Sequence, residues 1–107
     1  MIILTSTTDK VQVKLAGNIT TSQLECFTSY RDTTTTSITP GRNALNTNNT
    51  TAVDIVGSPS SSTQRIVEYL SVYNADTASS TVTVQFSDNG TIYELIVVTL
   101  STGEKLE

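Results

Sequence analysis

The sequence predicts an all-β fold, a jelly-roll-like antiparallel β-sandwich of seven to eight short strands in one domain over residues 1–107. Three observations carry this. Ser and Thr together make up roughly a third of the chain, and the branched Cβ of Thr favours strands over helices. Apolar and polar residues alternate with period two in several separate segments. Turn residues divide those segments at short intervals, and no window holds a 3.6-residue period long enough for a helix.

In chain order, Ile2–Thr5 reads as a short strand and Thr7-Thr8-Asp9 as a turn. Val11, Val13 and Leu15 then alternate with Lys10, Gln12 and Lys14, apolar inside and polar outside. Leu24, Cys26, Thr28 and Tyr30 share one face of the next strand. Phe27 falls on the other face, so it is either exposed to a partner or re-aimed by a bulge.

Residues 32–63 read differently, as a long polar loop region interrupted by one strand, Ala52–Val56. The Thr33–Thr36 run, the Asn46–Thr51 run and Ser58-Pro59-Ser60-Ser61-Ser62 set that character, and Pro40-Gly41 is a turn signal. Such a segment is too polar to bury itself, and it is expected to be mobile until a partner orders it.

The C-terminal half is more regular. Arg65–Tyr73 alternates, with Ile66, Leu70 and Val72 on one face and Val67, Tyr69 and Tyr73 on the other. Val82, Val84 and Phe86 mark a half-buried strand. Asp88-Asn89-Gly90 is a hairpin turn, because Asn-Gly readily takes positive φ. The returning strand, Thr91–Leu100, places Ile92, Ile96, Val98 and Leu100 on one face and Tyr93, Leu95 and Val97 on the other.

Composition excludes most chemistry. There is no His, so no imidazole serves as base or metal ligand. Cys26 is the only cysteine, lies in a strand and reads as a small core hydrophobe. No nucleotide-binding glycine motif occurs, and no Ser or Thr has an activating base in a recognisable motif. Asp88 and Glu94 are expected to approach across the last hairpin with Glu68 nearby, but turn chemistry already accounts for Asp88. The chain therefore reads as non-enzymatic and without a cofactor or metal. Net charge is −4 and the six basic residues form no stripe, which argues against nucleic acid. No apolar run approaches the ~18 residues that span a bilayer. Four N-x-S/T sequons, at Asn18, Asn48, Asn49 and Asn89, are expected by chance in a chain so rich in Asn and Thr.

Only 36% of the residues are apolar and 6% aromatic, which is thin for a self-sufficient core and points to burial against partners. The candidate contact residues are Ile2, Ile3 and Leu4 as an extended N-terminal arm, Phe27, Tyr69 and Tyr73 as an aromatic patch, and Pro40 and Arg42 in the polar region.

Several segments resemble a family of small virion structural proteins of tailed bacteriophages. They are Leu4-Thr5-Ser6-Thr7-Thr8-Asp9-Lys10-Val11-Gln12-Val13, then Val56-Gly57-Ser58-Pro59 with Ser62-Thr63-Gln64-Arg65, and Asn74-Ala75-Asp76-Thr77 running into Asp88-Asn89-Gly90-Thr91. Thr39-Pro40-Gly41-Arg42 is similar as well. In longer relatives the pattern continues past Gly103-Glu104. The resemblance implies a non-catalytic virion component, assembled in the host cytoplasm, that binds the major capsid protein or other virion proteins. The leading expectation is a capsid decoration (cement) protein acting as a homo-oligomer, with trimers natural at three-fold sites. A tail, neck or fibre-attachment module is the second expectation. The third, from the exposed tyrosines alone, is a glycan-binding β-sandwich.

Overall fold

The structure, a computed structural model, describes residues 1–107 and contains nine strands and no helix. They are β1 (Ile2–Leu4), β2 (Asp9–Leu15), β3 (Glu25–Thr33), β4 (Ile38–Asn46), β5 (Val53–Val56), β6 (Gln64–Tyr73), β7 (Ser80–Asp88), β8 (Thr91–Leu100) and β9 (Lys105–Leu106). All pairings are antiparallel. One sheet runs β1-β6-β3-β4, with β9 added to β6 on the edge that β1 also occupies; the other runs β5-β2-β7-β8. The two sheets pack face to face as an all-β sandwich.

The core lies between the sheets. Val11, Val13 and Leu15 of β2, Val82 and Val84 of β7, Ile55 and Val56 of β5, and Cys26, Val67 and Val72 of the opposite sheet are all buried. Period-two alternation produces this in β2, where every second residue is buried. Two side chains tie the sheets together through one carbonyl. Thr28 Oγ1 donates to Ile55 O at 2.8 Å and Asn43 Nδ2 donates to the same oxygen at 3.2 Å, so these polar groups are satisfied inside the sandwich.

The region 32–63 is not a long loop. Ile38–Asn46 is a full strand, paired with β3 from Glu25↔Asn46 to Thr33↔Ile38, and Val53–Val56 pairs with β2. Pro40-Gly41 is not a turn either. Both residues sit within β4, opposite Arg31 and Tyr30. Pro is tolerated because β4 is an edge strand, where a missing N–H on the free side disturbs no ladder. The turn falls instead at Thr34–Ser37, closed by Thr34 N–H donating to Ser37 O at 2.9 Å.

Bulges change the predicted facing of two strands. In β6 the partners of Ser29 and Tyr30 are Tyr69 and Val67, so Glu68 is the extra residue and Val67 turns into the core with Leu70 and Val72. In β8 the partners of Val84 and Gln85 are Ile96 and Glu94, so Leu95 is extra. Tyr93, opposite Phe86, therefore shares the inner face with Ile96, while Ile92 and Val97 face outward. The Asn89-Gly90 hairpin turn is as predicted, with φ of 51° and 92°.

Buried polar side chains pin the ends of the sandwich. Asn74 Nδ2 donates to Ala78 O and Leu100 O, and Asn74 Oδ1 accepts from Asp76 N–H. The Asp76 carboxylate accepts four backbone N–H bonds, from Thr20, Thr21, Ser22 and Thr77, at 2.7–3.2 Å. These bonds hold its pKa down at about 2.

Candidate functional site

Sheet edges expose unpaired N–H and C=O groups, and folded proteins defend them with short strands, Pro, or charge. Most edges here follow that rule. β1 and β9 are three and two residues long. β5 has four residues and carries Asp54. β4 is long but holds Pro40 and Arg42. β8 is the least protected of the long edges: ten residues without Pro, Gly, Lys or Arg, with only Glu94 and the bulge at Leu95 on it.

β8 is also apolar on both faces. Ile92, Tyr93, Leu95, Ile96 and Val97 are each 41–55% exposed. The outer pair, Ile92 and Val97, faces solvent. The inner residues are uncovered for a structural reason. The opposite sheet ends in β1 and β9, which pair with residues 65–67 and 72–73 of β6 and leave 68–71 bare between them. The gap opens a groove of about 320 Å3, lined by Ile2, Val67, Leu70 and Leu106 on one side and Leu95 and Ile96 on the other. Edge and groove form one continuous apolar surface.

The residues singled out from sequence divide into two groups. Phe27, Pro40, Arg42, Tyr69 and Tyr73 gather on the outer face of the β6-β3-β4 sheet, since Phe27 lies opposite Ser71 and Ala44, Ser29 opposite Tyr69 and Arg42, Glu25 opposite Tyr73, and Arg31 opposite Pro40. The rings of Phe27 and Tyr69 are 6.1 Å apart and tilted by 57°. Tyr69 Oη donates to Glu107 Oε2 at 2.7 Å. Ile3, opposite Ile66, joins this face and is exposed. Leu4 does not belong with them. It is completely buried, so Met1–Leu4 is no free arm; pairing with β6 carries Leu4 into the core. Ile2 is half-buried, packs on that core and lines the groove.

The last hairpin does not bring Asp88 and Glu94 together. Asp88 lies opposite Thr91 and Asp9, and Glu94 opposite Gln85. Glu68 instead meets Arg31 at 3.5 Å. The structure gathers no group of three metal-ligating side chains. No helix is long and apolar enough to cross a membrane. Asn49, in one of the sequons, is engaged locally: its Oδ1 accepts from Ile19 N–H and Gln23 Nε2.

The β8 edge was missed as a contact surface. Its signal was present in the sequence as a ten-residue strand, apolar at both parities and with Glu94 as its only charge. No protein-family model, curated protein or solved structure matches the chain.

Proposed function

We propose that this chain is a structural subunit that works by binding other proteins, as a capsid decoration (cement) protein on the head shell of a tailed bacteriophage. The observation that carries the contact role is β8, a ten-residue edge strand with five half-exposed apolar side chains, where every other edge of the molecule is short or Pro-bearing. The virion assignment is supported by the resemblance of Leu4–Val13, Val56–Pro59 with Ser62–Arg65, and Asn74–Thr77 with Asp88–Thr91 to phage virion proteins. On this reading the subunit contacts the major capsid protein as a homo-oligomer. It strengthens the shell through many weak contacts.

The test is quantitative mass spectrometry of purified particles that encode this chain. Decoration of the shell gives on the order of hundreds of copies per particle, as repeated lattice sites require. A few to dozens of copies, with imaging at the tail or neck, replaces decoration with the tail or fibre-attachment role. Absence from particles rejects a virion role.

One observation favours a second reading, glycan binding: Phe27, Tyr69 and Tyr73 lie exposed on one sheet face. If Tyr69→Ala and Tyr73→Ala leave polysaccharide binding unchanged, that reading loses its basis.

A further inference from the structure

We propose that β8 pairs antiparallel with β8 of a second copy across a two-fold axis, joining two four-stranded sheets into one of eight strands. This names the partner of the edge read above as a contact surface, and it rests on that reading.

The free edge of a strand is satisfied most completely by another strand, which supplies both its missing donors and its missing acceptors. Within this chain the other edges are unsuited to the task, being too short or interrupted by Pro40. β8 is suited to itself. A two-fold operation presents the same surface twice, and β8 is apolar on both faces, so each face of the extended sheet continues without a break.

Charge selects the register. Glu94 is the one ionised side chain on the strand. Centring the pair on Glu94 would set two carboxylates directly opposite, which is unfavourable. Centring it on Ile96, with Leu95 as the extra residue, sets Glu94 against Val97 on the outer face and staggers the two carboxylates instead of facing them. The two Ile96 side chains then meet at the mouths of the two grooves. Five half-exposed apolar side chains per copy, one of them a Tyr, supply on the order of several hundred Å2. That is a large part of the ~800 Å2 per partner of a standard interface.

Light scattering on the purified chain across a concentration series tests the proposal. The expected result is a mass of two chains, and a mass of one chain for Ile92→Lys/Val97→Lys. Both substitutions face outward, so an unchanged circular-dichroism spectrum is expected for the variant. A wild-type chain that stays monomeric throughout, a trimer, or a dimer that survives in the double variant overturns the proposal. If the double variant fails to fold, Ile96→Cys decides. Facing Cβ atoms lie ~4.5–5.5 Å apart, wider than the ~3.5–4.5 Å of a disulfide but within reach of a short bis-thiol cross-linker across the axis, and native Cys26 is buried out of reach. A covalently linked pair after treatment with the cross-linker supports the register, and its absence overturns it. A monomeric chain that is nonetheless abundant on particles overturns self-pairing while leaving the decoration role standing. A β8 dimer absent from particles removes that role and leaves self-pairing standing.

Discussion

The guanidinium of Arg65 lies 4.2 Å from the centre of the Tyr30 ring. The same group forks onto Asp32, with Nε to Oδ1 at 2.8 Å and an Nη to Oδ2 at 3.0 Å, and its other Nη reaches Gly57 O at 3.0 Å. One side chain thus links β3, β6 and the segment after β5. Tyr30 is held against β4 on its other flank, where Gly41 makes room for it. A Cβ at Gly41 would lie 2.7 Å from Tyr30 ring carbons.

Gly41→Ala is therefore expected to push Tyr30 off Arg65 and lower stability by about 1–3 kcal/mol, the usual cost of overpacking. Urea unfolding measures it. In a Tyr30→Leu background the added methyl has nothing to strike, and the cost should largely vanish. An equal cost in both backgrounds would show that the strain lies elsewhere.

Leu4 and Ile3 separate a packed β1 from a free arm. Leu4 is wholly buried and Ile3 exposed. Leu4→Ala should cost about 2–4 kcal/mol through lost burial and a residual cavity, and Ile3→Ala well under 1 kcal/mol. Thermal or urea unfolding of the two variants side by side tests this, and equal, small losses would restore the arm.

Asp76 makes stability depend on pH in acid. Its folded pKa, about 2, lies below the usual carboxylate value, so it contributes stability that is fully present above ~pH 4 and is lost as pH falls through about 2. Asp76→Asn should lower the urea midpoint at pH 7 and flatten the decline between pH 4 and 2. Parallel curves for the two proteins would exclude Asp76 as a source of that decline.

Cys26 is buried, and desolvation pushes its thiol pKa up to about 12. A thiol reagent at pH 8 should leave the native protein unlabelled and modify one site per chain once urea unfolds it. Rapid labelling of the native state would place the thiol in contact with solvent.

Particular residues show what the sequence made legible. β2 and the Asn89-Gly90 hairpin were readable because strict alternation and a positive-φ dipeptide are local signals; β7 was readable as a strand, but it is covered on both faces, Thr83, Gln85 and Ser87 being buried as well as Val82 and Val84. β4 was not, because Pro40-Gly41 carries a turn signature that edge pairing with β3 overrides. The facing of Val67 and Tyr93 was also hidden. Each follows from one extra residue, Glu68 or Leu95, and a bulge is set by pairing across the sheet. For the site, the aromatic cluster of Phe27, Tyr69 and Tyr73 was visible as exposed-face residues. The groove was not, since it arises where two distant termini, β1 and β9, leave part of β6 uncovered.

Amide hydrogen exchange along β8, compared with β4 as a second long edge, tests the central claim most directly. If β8 is the contact edge, its amides from Ile92 to Val98 that point away from β7 gain protection as protein concentration rises, while the free-edge amides of β4 exchange alike at every concentration. Concentration-independent exchange along β8, or a gain confined to β4, would contradict the account.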